Sequence, residues 1–426
     1  MVHKTLFALG LLLLIALCPK ANAQRLSPLA PPPKWTELEA YQQTITHDEF
    51  VGLLDQVYAP RDAAKGFIEV LPEEAHIKTQ LVPAATWTLR FAHDAASEKP
   101  PPRFWRPAAS LPPAPTAQPL AGVKIAIDPG HLGGDWARME ERFLQIGDSP
   151  PITEGDMTLQ VAQLLQAKLE ALGAKVTLVR KSPGPVTAER PETLRDPARA
   201  ELEREGVANP RETYHDRTED GLGETVQYES ELLFYRTSEI RRRAEIVNAQ
   251  IQPDFTLCLH FNAEPWGDPK HPDLSTANHM HVLLNGCYSA PELRNDDVRF
   301  DMLVKLLSRS FPEELGLSTQ VAESLSHANG LPPYTYTTPN AVNIDHNPYL
   351  WARNLLANRL YRTPVVFIEP YVMNSENIRD RVAAGDYEGE REVAGAMRRS
   401  LYREYADGVA EGLRVYFEKN RATSSH

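Results

Sequence analysis

Two histidines each stand directly after an apolar run that predicts a buried β-strand. His131 follows the predicted strand Val123–Ile127 and the turn Asp128-Pro129-Gly130, and His260 follows the apolar run Phe255–Leu259. Pro and Gly end a strand with a tight turn, which leaves the next residue exposed at the carboxyl end of the strand. Ligands bind at that edge of open α/β sheets. We therefore expect both imidazoles at one ligand-binding edge.

Two glutamates stand at comparable positions. Glu369 ends the predicted strand Val365–Ile368, and Glu154 precedes the helix predicted over Met157–Leu172. Two histidines and a carboxylate are a known ligand set for catalytic zinc, with one position left for water. A further carboxylate nearby suits the proton acceptor that such water needs. Each residue alone has an ordinary structural explanation, but the set predicts a hydrolytic metal site.

Other ionisable residues compete for these roles. Glu140 and Glu141 are rival ligands, although neither is followed by the Asp and the helical pattern that follow Glu154. His279 and His281 are two residues apart and share one face of a strand. They could bind a metal, but a histidine pair on a strand at the sheet edge is the interpretation that we favour.

The elements that must position these residues alternate between strand and helix from residue 122 to about residue 420. Short, mostly apolar runs predict strands that are buried on both faces, and the stretches between them have helical periodicity. The predicted strands are Val123–Ile127, Lys175–Val179, Phe255–Phe261, His281–Leu284 and Pro364–Ile368, and the predicted helices are Met157–Leu172, Thr237–Gln250, Asp296–Ser310 and Glu390–Tyr416. The expected fold class is α/β, a layered and mostly parallel sheet flanked by helices.

Two long insertions interrupt the α/β pattern, at about residues 182–235 and 312–348. The first is highly charged and lacks clear apolar periodicity, and the second is rich in Pro, Asn, Tyr and Thr. Loops of this length in a compact domain are usually functional or disordered.

Two proline-rich stretches divide the N-terminal part of the chain. Residues 24–34 form a leader, and residues 99–121 form a linker with eight prolines, a density that excludes a continuous helix or a central strand. Residues 35–98 between them predict a small α+β accessory module, which begins a helix with a Thr-x-x-Glu capping box at Thr46. No chemistry is evident in this module.

The composition is typical of a soluble globular protein. Of 426 residues, 45 are Lys or Arg and 57 are Asp or Glu, which gives a net charge of −12, and 42% are hydrophobic. These values exclude a wholly disordered chain and a multi-span membrane protein. The net negative charge argues against binding to nucleic acid or to an anionic membrane surface. We expect Cys258 and Cys287 to be free thiols, with a disulfide between them as the alternative.

Residues 1–23 have the pattern of a signal peptide. Lys4 precedes the short apolar run Leu6–Leu17, and a small-x-small cleavage pattern ends at Ala23. Lipidation at Cys18 is the less favoured alternative, because Leu17 is not the small residue that such a site needs. We expect an exported protein, with the periplasm as first choice and secretion as second.

Four segments resemble the zinc-dependent N-acetylmuramoyl-L-alanine amidases, the peptidoglycan amidases of type 3. Ile125-Ala126-Ile127-Asp128-Pro129-Gly130-His131 resembles their opening motif, and Glu154-Gly155-Asp156 is similar to their Glu-Lys-Asp helix start. His260-Phe261-Asn262-Ala263 is similar to the segment with the second histidine, and Pro364–Glu369 to the strand that ends in the catalytic glutamate. The segments occur in family order between about residues 123 and 417.

The resemblance implies a role for each matching residue. His131, Glu154 and His260 would bind Zn²⁺, and Glu369 would act as general base and then as general acid. The resemblance also implies substrate contacts at Asn262 and Arg243. Two features depart from the family: the 23-residue separation of His131 and Glu154 indicates an insertion, and the usual Gly-Phe is lacking after Glu369.

The activity that this resemblance implies is cleavage of the amide between N-acetylmuramic acid and L-alanine in peptidoglycan, for cell-wall remodelling or daughter-cell separation. Peptidoglycan is the expected partner, with neither nucleic acid nor stable membrane insertion. An activator protein that moves an inserted segment off the site is a further hypothesis. Two alternatives stay open: a catalytically silent wall-binding or activator module, and a zinc hydrolase of another amide.

Overall fold

The computed structural model describes residues 24–267 and 272–421. The predicted signal peptide, residues 1–23, lies outside the described residues. Within these two ranges, no helix combines the length and the apolar character that crossing a membrane requires.

Fourteen strands are present in the described residues. In chain order they are β1 (Ile68–Val70), β2 (Glu74–Gln80), β3 (Ala85–Arg90), β4 (Lys124–Pro129), β5 (Phe143–Leu144), β6 (Ile152–Thr153), β7 (Lys175–Leu178), β8 (Phe255–Leu259), β9 (Met280–Leu284), β10 (Val342–Asn343), β11 (Leu350–Ala352), β12 (Val365–Pro370), β13 (Glu390–Val393) and β14 (Ala396–Arg399). Seven of them form the central sheet, in the order β10-β11-β9-β12-β8-β4-β7.

The central sheet is mostly parallel. Its neighbouring strands run parallel except at β9–β12 and β10–β11, which are antiparallel. Three small sheets, β1-β2-β3, β5-β6 and β13-β14, are antiparallel. The predicted α/β fold class is confirmed.

The α-helices of the described chain are α1 (His47–Leu53), α2 (Trp136–Met139), α3 (Glu154–Ala171), α4 (Arg195–Arg204), α5 (Val226–Leu232), α6 (Glu239–Glu245), α7 (Asp296–Leu307), α8 (Phe311–Asn329), α9 (Leu356–Leu360), α10 (Glu376–Ala383) and α11 (Leu401–Asn420). Wider π-type turns at Leu54–Tyr58, Leu233–Ser238 and Ile246–Ile251 extend helices, and short 3₁₀ turns lie at Trp35–Tyr41, Ala95–Ser97, Ala108–Ser110, Pro191–Leu194, Leu222–Glu224 and Glu292–Arg294.

Helices cover both faces of the central sheet. Alternate residues of β4 point to opposite faces, so that Ile125 and Ile127 join the larger core, whereas Ala126 joins a smaller cluster on the other face. Helices α3, α8 and α11 pack on the first face, and α6 and α9 pack on the second. Burial on both sides explains why these strands are almost continuously apolar.

Two predicted elements are wrong in part. Residues 312–348 were expected to be a loop-rich insertion, yet helix α8 fills the first half, and its Leu317, Val321 and Leu325 pack in the core at helical spacing. The predicted helix Glu390–Tyr416 begins instead at Leu401, after the hairpin β13–β14. Two adjacent left-handed residues, Ala394 (φ 49°) and Gly395 (φ 75°), turn that hairpin.

Residues 182–235 form ordered helical structure with an apolar cluster of their own. Leu194, Leu202, Val226 and Phe234 are buried together, and Leu132, next to the first candidate histidine, joins this cluster. The high charge of the segment hides these apolar positions in the sequence. The inserted segment is therefore attached directly to the loop that follows β4.

The N-terminal segment shares its core with the α/β region. Its predicted helix is present as α1, and the β part of the module consists of the strands β1–β3. Its apolar residues belong to the same cluster as those of α3, α8 and α11. The backbone N–H groups of Cys287 and Tyr288 donate to the carbonyls of Val57 and Tyr58, both at 2.7 Å. The exact domain boundaries stay a prediction.

The proline-rich linker is docked on the α/β region rather than extended into solvent. Trp105 is buried, and Arg106 forms a two-pronged pair with Asp254, with Nε–Oδ1 and Nη2–Oδ2 distances of 2.9 and 2.6 Å. At its other end, the linker is tied to the end of α11, because Arg421 donates to the carbonyls of Pro112, Pro119 and Ala121 at 2.6–3.0 Å. Cys258 and Cys287 are free and buried, as predicted.

Substitution of Arg421 tests how strongly the linker is tied down. Arg421→Ala leaves three backbone carbonyls without a donor, so we expect the free energy of unfolding to fall by about 2–3 kcal/mol. Arg414→Ala on helix α11 is the control, because Arg414 pairs with the surface carboxylates of Glu411 and Glu418 and its loss should cost about 0.5 kcal/mol. Equal denaturation midpoints for the two variants would contradict the structural role of Arg421.

Candidate metal centre

The turn after β4 places His131 at the carboxyl edge of the sheet. His131 has a left-handed backbone (φ 57°), and the preceding Gly130 packs directly against the second histidine. A Cβ atom at position 130 would lie 2.3 Å from Cε1 of His260. Glycine is therefore required here for the two imidazoles to approach, with ring centroids 5.1 Å apart.

Two buried arginines hold the carbonyls of this turn. Arg243 Nη1 donates to Asp128 Oδ1 and to the carbonyl of Pro129, at 2.9 and 2.8 Å, and Nη2 donates to the carbonyl of His131 at 3.0 Å. Arg180 Nη2 donates to the carbonyl of Gly130 at 3.3 Å. Arg243 is 1% exposed and supports the turn from behind. A substrate contact by Arg243 stays a prediction.

Glu154 is the first residue of α3 and lies at the centre of the site. Its neighbour Gly155, which replaces the family lysine, faces the backbone of Leu132, and a Cβ atom there would lie 2.1 Å from the carbonyl carbon. Glycine thus lets the start of α3 pack against the loop that follows His131. This close packing places the Glu154 carboxylate beside both histidines.

The three predicted ligands meet in space. Glu154 Oε2 is 3.4 Å from His131 Nε2, and Glu154 Oε1 is 3.3 Å from His260 Nδ1. One donor atom from each of the three residues lies within 4.8 Å of the other two. The backbone N–H of Phe261 donates to Glu154 Oε1 at 3.0 Å, and the His260 ring stacks on Phe367 with centroids 4.2 Å apart.

Glu140, predicted as a rival ligand, lies behind His131 instead. Its Oε2 is 2.8 Å from His131 Nδ1 and accepts from the N–H of Leu132 at 3.1 Å. Burial raises the pKa of Glu140 to about 7, against the opposing effect of the Leu132 hydrogen bond and three arginines. With Nδ1–H directed at Glu140, the Nε2 lone pair of His131 faces Glu154 and is free for a metal.

The donor set fits a divalent metal ion such as zinc. Burial lowers the pKa of His131 to about 3, so its imidazole is neutral and can donate a lone pair. Glu154 Oε2 is buried and has no hydrogen-bond partner in the described chain, because its contacts with His131 and with Arg142 Nε, at 3.1 Å, lack hydrogen-bond geometry. A buried carboxylate oxygen without a hydrogen-bond partner, beside two imidazoles, is a favourable position for a cation.

Glu369, near the end of β12, lies two strands from His131 at the same edge. Its Oε2 is 3.0 Å from Nε2 of His281 on β9. The prediction that His279 and His281 lie on an edge strand is wrong, because β9, which contains His281, lies between β11 and β12, and His279 directly precedes it. Among the described residues, His131, Glu154 and His260 are the group with metal-binding spacing, so His279 and His281 are outside it.

Asn262 follows His260 and lies within the same loop cluster. Its Oδ1 accepts from the N–H of Ala263 at 2.8 Å, and its Nδ2 is 3.4 Å from Nδ1 of His279. Nearby, Asn374 joins this loop to the loop after Glu369 through two hydrogen bonds of 3.0 Å to the backbone of Glu264. A substrate contact by Asn262 stays a prediction.

A cleft of about 1140 Å³ borders the site. Its walls come from three segments that are distant in sequence: the insertion between His131 and Glu154, the 182–235 insertion and the loop after His260. They include Arg142, Tyr214, Arg217, Glu264 and Trp266. An ion pair of 3.2 Å between Glu141 and Arg217 joins the two insertions. The three candidate ligands are not part of its walls, and Arg142 connects the cleft to them, because its Nε is 3.1 Å from Glu154 Oε2.

The sequence patterns predicted the three metal ligands but not the residues that hold them in place. They indicated no role for Arg180, they offered Glu140 as a rival ligand, and they favoured an edge strand for His281. The available signal for His281 was its place within a short apolar strand, Met280–Leu284, where a polar side chain has to find a partner.

Comparisons with known proteins agree with the motif order. A family model described as N-acetylmuramoyl-L-alanine amidase matches residues 125–402. No curated protein matches the chain.

Solved amidases resemble the chain at low identity. Ami1 from Mycobacterium abscessus is 18% identical, over 70% of this chain and 99% of that chain, with a TM-score of 0.35. The CwlD amidase from Clostridioides difficile, solved in complex with the GerS lipoprotein, is 15% identical over 70% and 100% of the chains, with a TM-score of 0.38. AmiC2 of Nostoc punctiforme is 15% identical over 70% and 99%, with a TM-score of 0.34.

The family model spans more than half of the sequence and includes His131, Glu154, His260 and Glu369. The chain therefore belongs to the N-acetylmuramoyl-L-alanine amidase family.

Proposed function

We propose that this protein is an exported zinc hydrolase that cleaves the amide between N-acetylmuramic acid and L-alanine in peptidoglycan. The observation that carries the proposal is the meeting of His131, Glu154 and His260 donor atoms within 4.8 Å, inside the segment that matches the amidase family. The substrate lies outside the cytoplasm, which suits the signal-peptide pattern of residues 1–23. We place the protein in the periplasm on that pattern.

His131, Glu154 and His260 would hold the zinc ion, and Glu140 would orient His131 from behind. Bound there, zinc would lower the pKa of a water molecule and polarise the scissile carbonyl. The carboxylate of Glu154 balances part of the charge of the cation. Imidazole nitrogens together with a buried carboxylate favour a transition-metal ion such as zinc over a hydrated monovalent ion.

Glu369 has the position and exposure of a general base. Its side chain is 20% exposed, so one part of the carboxylate still meets solvent at the ligand-binding edge. Glu369 would accept the proton of the attacking water and return it to the amine of L-alanine as the amide breaks. His260 and Glu369 lie at adjacent positions of neighbouring parallel strands, since Leu259 pairs with Ile368.

An activator protein is part of the proposal. Arg142 contacts the ligand Glu154, and its neighbour Glu141 is paired with Arg217 of the 182–235 insertion. A partner that binds this insertion can therefore change the position of Arg142 and the electrostatic field at the metal ligands. Full activity of the isolated chain would exclude the need for such a partner.

Substitution of Glu369 tests the catalytic assignment. We expect Glu369→Gln to lower the release of stem peptides from purified peptidoglycan by at least about 100-fold, because the proton acceptor is lost, while zinc content is kept. Mass spectrometry of the digest, with zinc or with a chelator, measures free peptides that begin at L-alanine. The digest should be active only with zinc.

Glu323→Gln, a surface substitution on α8, is the matched control and should digest like the wild type. A zinc-loaded wild-type protein that releases nothing, with or without a wall extract as a source of activator, would favour the silent wall-binding module. Cleavage at a different bond would favour a zinc hydrolase of another amide. Full activity of Glu369→Gln would contradict the role of Glu369.

Glu140 offers a test of the metal site that does not depend on turnover. Glu140→Ala removes the carboxylate that orients His131, so we expect the zinc affinity to fall about 10- to 100-fold. Competition with a chromophoric chelator measures the affinity. Glu323→Ala, at an exposed position of α8, is the control and should keep the wild-type zinc affinity. Equal affinities of Glu140→Ala and Glu323→Ala would contradict the role of Glu140.

A further inference from the structure

His281 lies beside Glu369 in the interior of the central sheet. The two residues stand directly opposite each other in the antiparallel pair of β9 and β12. Nε2 of His281 is 3.0 Å from Oε2 of Glu369, and the His281 side chain is 1% exposed. One carboxylate oxygen of Glu369 is therefore engaged by a histidine from the protein interior.

Two tyrosines enclose the imidazole of His281. The ring centroids of Tyr334 and Tyr336 lie 5.1 and 5.5 Å from that of His281, and the hydroxyl oxygen of Tyr336 is 3.2 Å from Nε2. Nδ1 of His281 has no hydrogen-bond partner among the described residues. The polar contacts of the ring are thus made by Nε2 alone, on the side of Glu369.

The remaining ionisable groups around this pair are few. His279, directly before β9, pairs with Glu264, at 3.1 Å, and interacts electrostatically with His281. His260 and Arg353 act on Glu369, and Arg353 also donates to the Tyr336 hydroxyl, at 3.5 Å. None of these groups is within hydrogen-bond distance of Glu369 Oε2 in the described structure, so His281 is the side chain that fixes this oxygen.

We propose that His281 is a positioning residue for Glu369, an inference that rests on the proposed function. The close polar contact of 3.0 Å between Nε2 and Oε2 restricts rotation of the carboxylate and leaves Oε1 as the oxygen that receives the proton of the attacking water. A carboxylate without this contact rotates among several orientations, and fewer of them are reactive. His281 touches neither the water nor the substrate in this arrangement.

The same contact contributes to the charge of Glu369. Burial favours the neutral carboxyl, but the combined effect of His281, His260 and Arg353 outweighs burial and lowers the pKa of Glu369 to about 2. The group is therefore ionised at neutral pH, as a proton acceptor must be. Loss of His281 removes one of these opposing effects, so the pKa of Glu369 rises, and the acid limb of activity moves to higher pH.

Two substitutions of His281 separate the bond from the shape of the side chain. His281→Phe keeps an aromatic ring and removes the donor, whereas His281→Gln keeps an N–H donor at a similar reach. On purified peptidoglycan we expect His281→Phe to lower kcat about 10- to 100-fold, with little change in KM, and to move the acid limb upward. His281→Gln should recover most of kcat and the wild-type pH profile.

His76→Phe is the matched control, because it removes a second His–Glu pair, with Glu74 at 2.8 Å, in the remote sheet β1-β2-β3. It should keep the wild-type pH profile. Zinc content and melting temperature, measured for every variant, identify any that fails to fold. If His281→Phe does not fold, His281→Leu replaces it in the same series.

Infrared titration provides a readout that does not depend on turnover. The infrared band of the protonated Glu369 carboxyl is assigned by its loss in Glu369→Gln. We expect this band to be absent from the folded wild type above about pH 4 and to persist to higher pH in His281→Phe. If the wild type cleaves no peptidoglycan, the proposed function fails while this titration still decides the His281 contact. Identical titrations of the wild type and His281→Phe, or a His281→Gln variant as impaired as His281→Phe, would overturn the inference.

Discussion

The position of the first candidate ligand depends on the guanidinium of Arg243. It is buried between the carboxylates of Asp128 and Glu239, with N–O distances of 2.9 and 2.8 Å, and also donates to the carbonyls of Pro129 and His131. A buried charge without such partners costs several kcal/mol, so the arginine and the turn need each other. Because His131 has a left-handed backbone, the turn requires this support to hold its imidazole in place.

Strand direction brings the catalytic candidates together. Strands β4, β8 and β12 are parallel, so the residues at their carboxyl ends, which include His260 and Glu369, share one edge of the sheet. Strand β9 is antiparallel to β12, and its first residues therefore reach the same edge. This single reversal places His281 opposite Glu369. A β9 strand parallel to β12 would present its carboxyl end there instead.

Parts of the chain outside the sheet are bound to it by specific contacts. The N-terminal segment shares the main core and pairs its backbone with Cys287 and Tyr288, and the proline-rich linker is held by Arg106 and Arg421. These contacts explain how the N-terminal segment is stabilised, because a segment of about 60 residues is only marginally stable alone. The 182–235 insertion is attached in the same way, through an apolar cluster that includes Leu132.

The sequence by itself determined the α/β class, the family motifs and the three metal-ligand candidates, because strand ends, helix starts and turn residues are local features. It could not decide whether Glu140 or Glu141 contacts His131, since that depends on the path of the chain between His131 and Glu154. Only the tertiary structure showed Arg243 directed inward, Glu140 behind His131 and His281 against Glu369. Each of these contacts joins elements whose relative direction or register is fixed by packing, which no local pattern encodes.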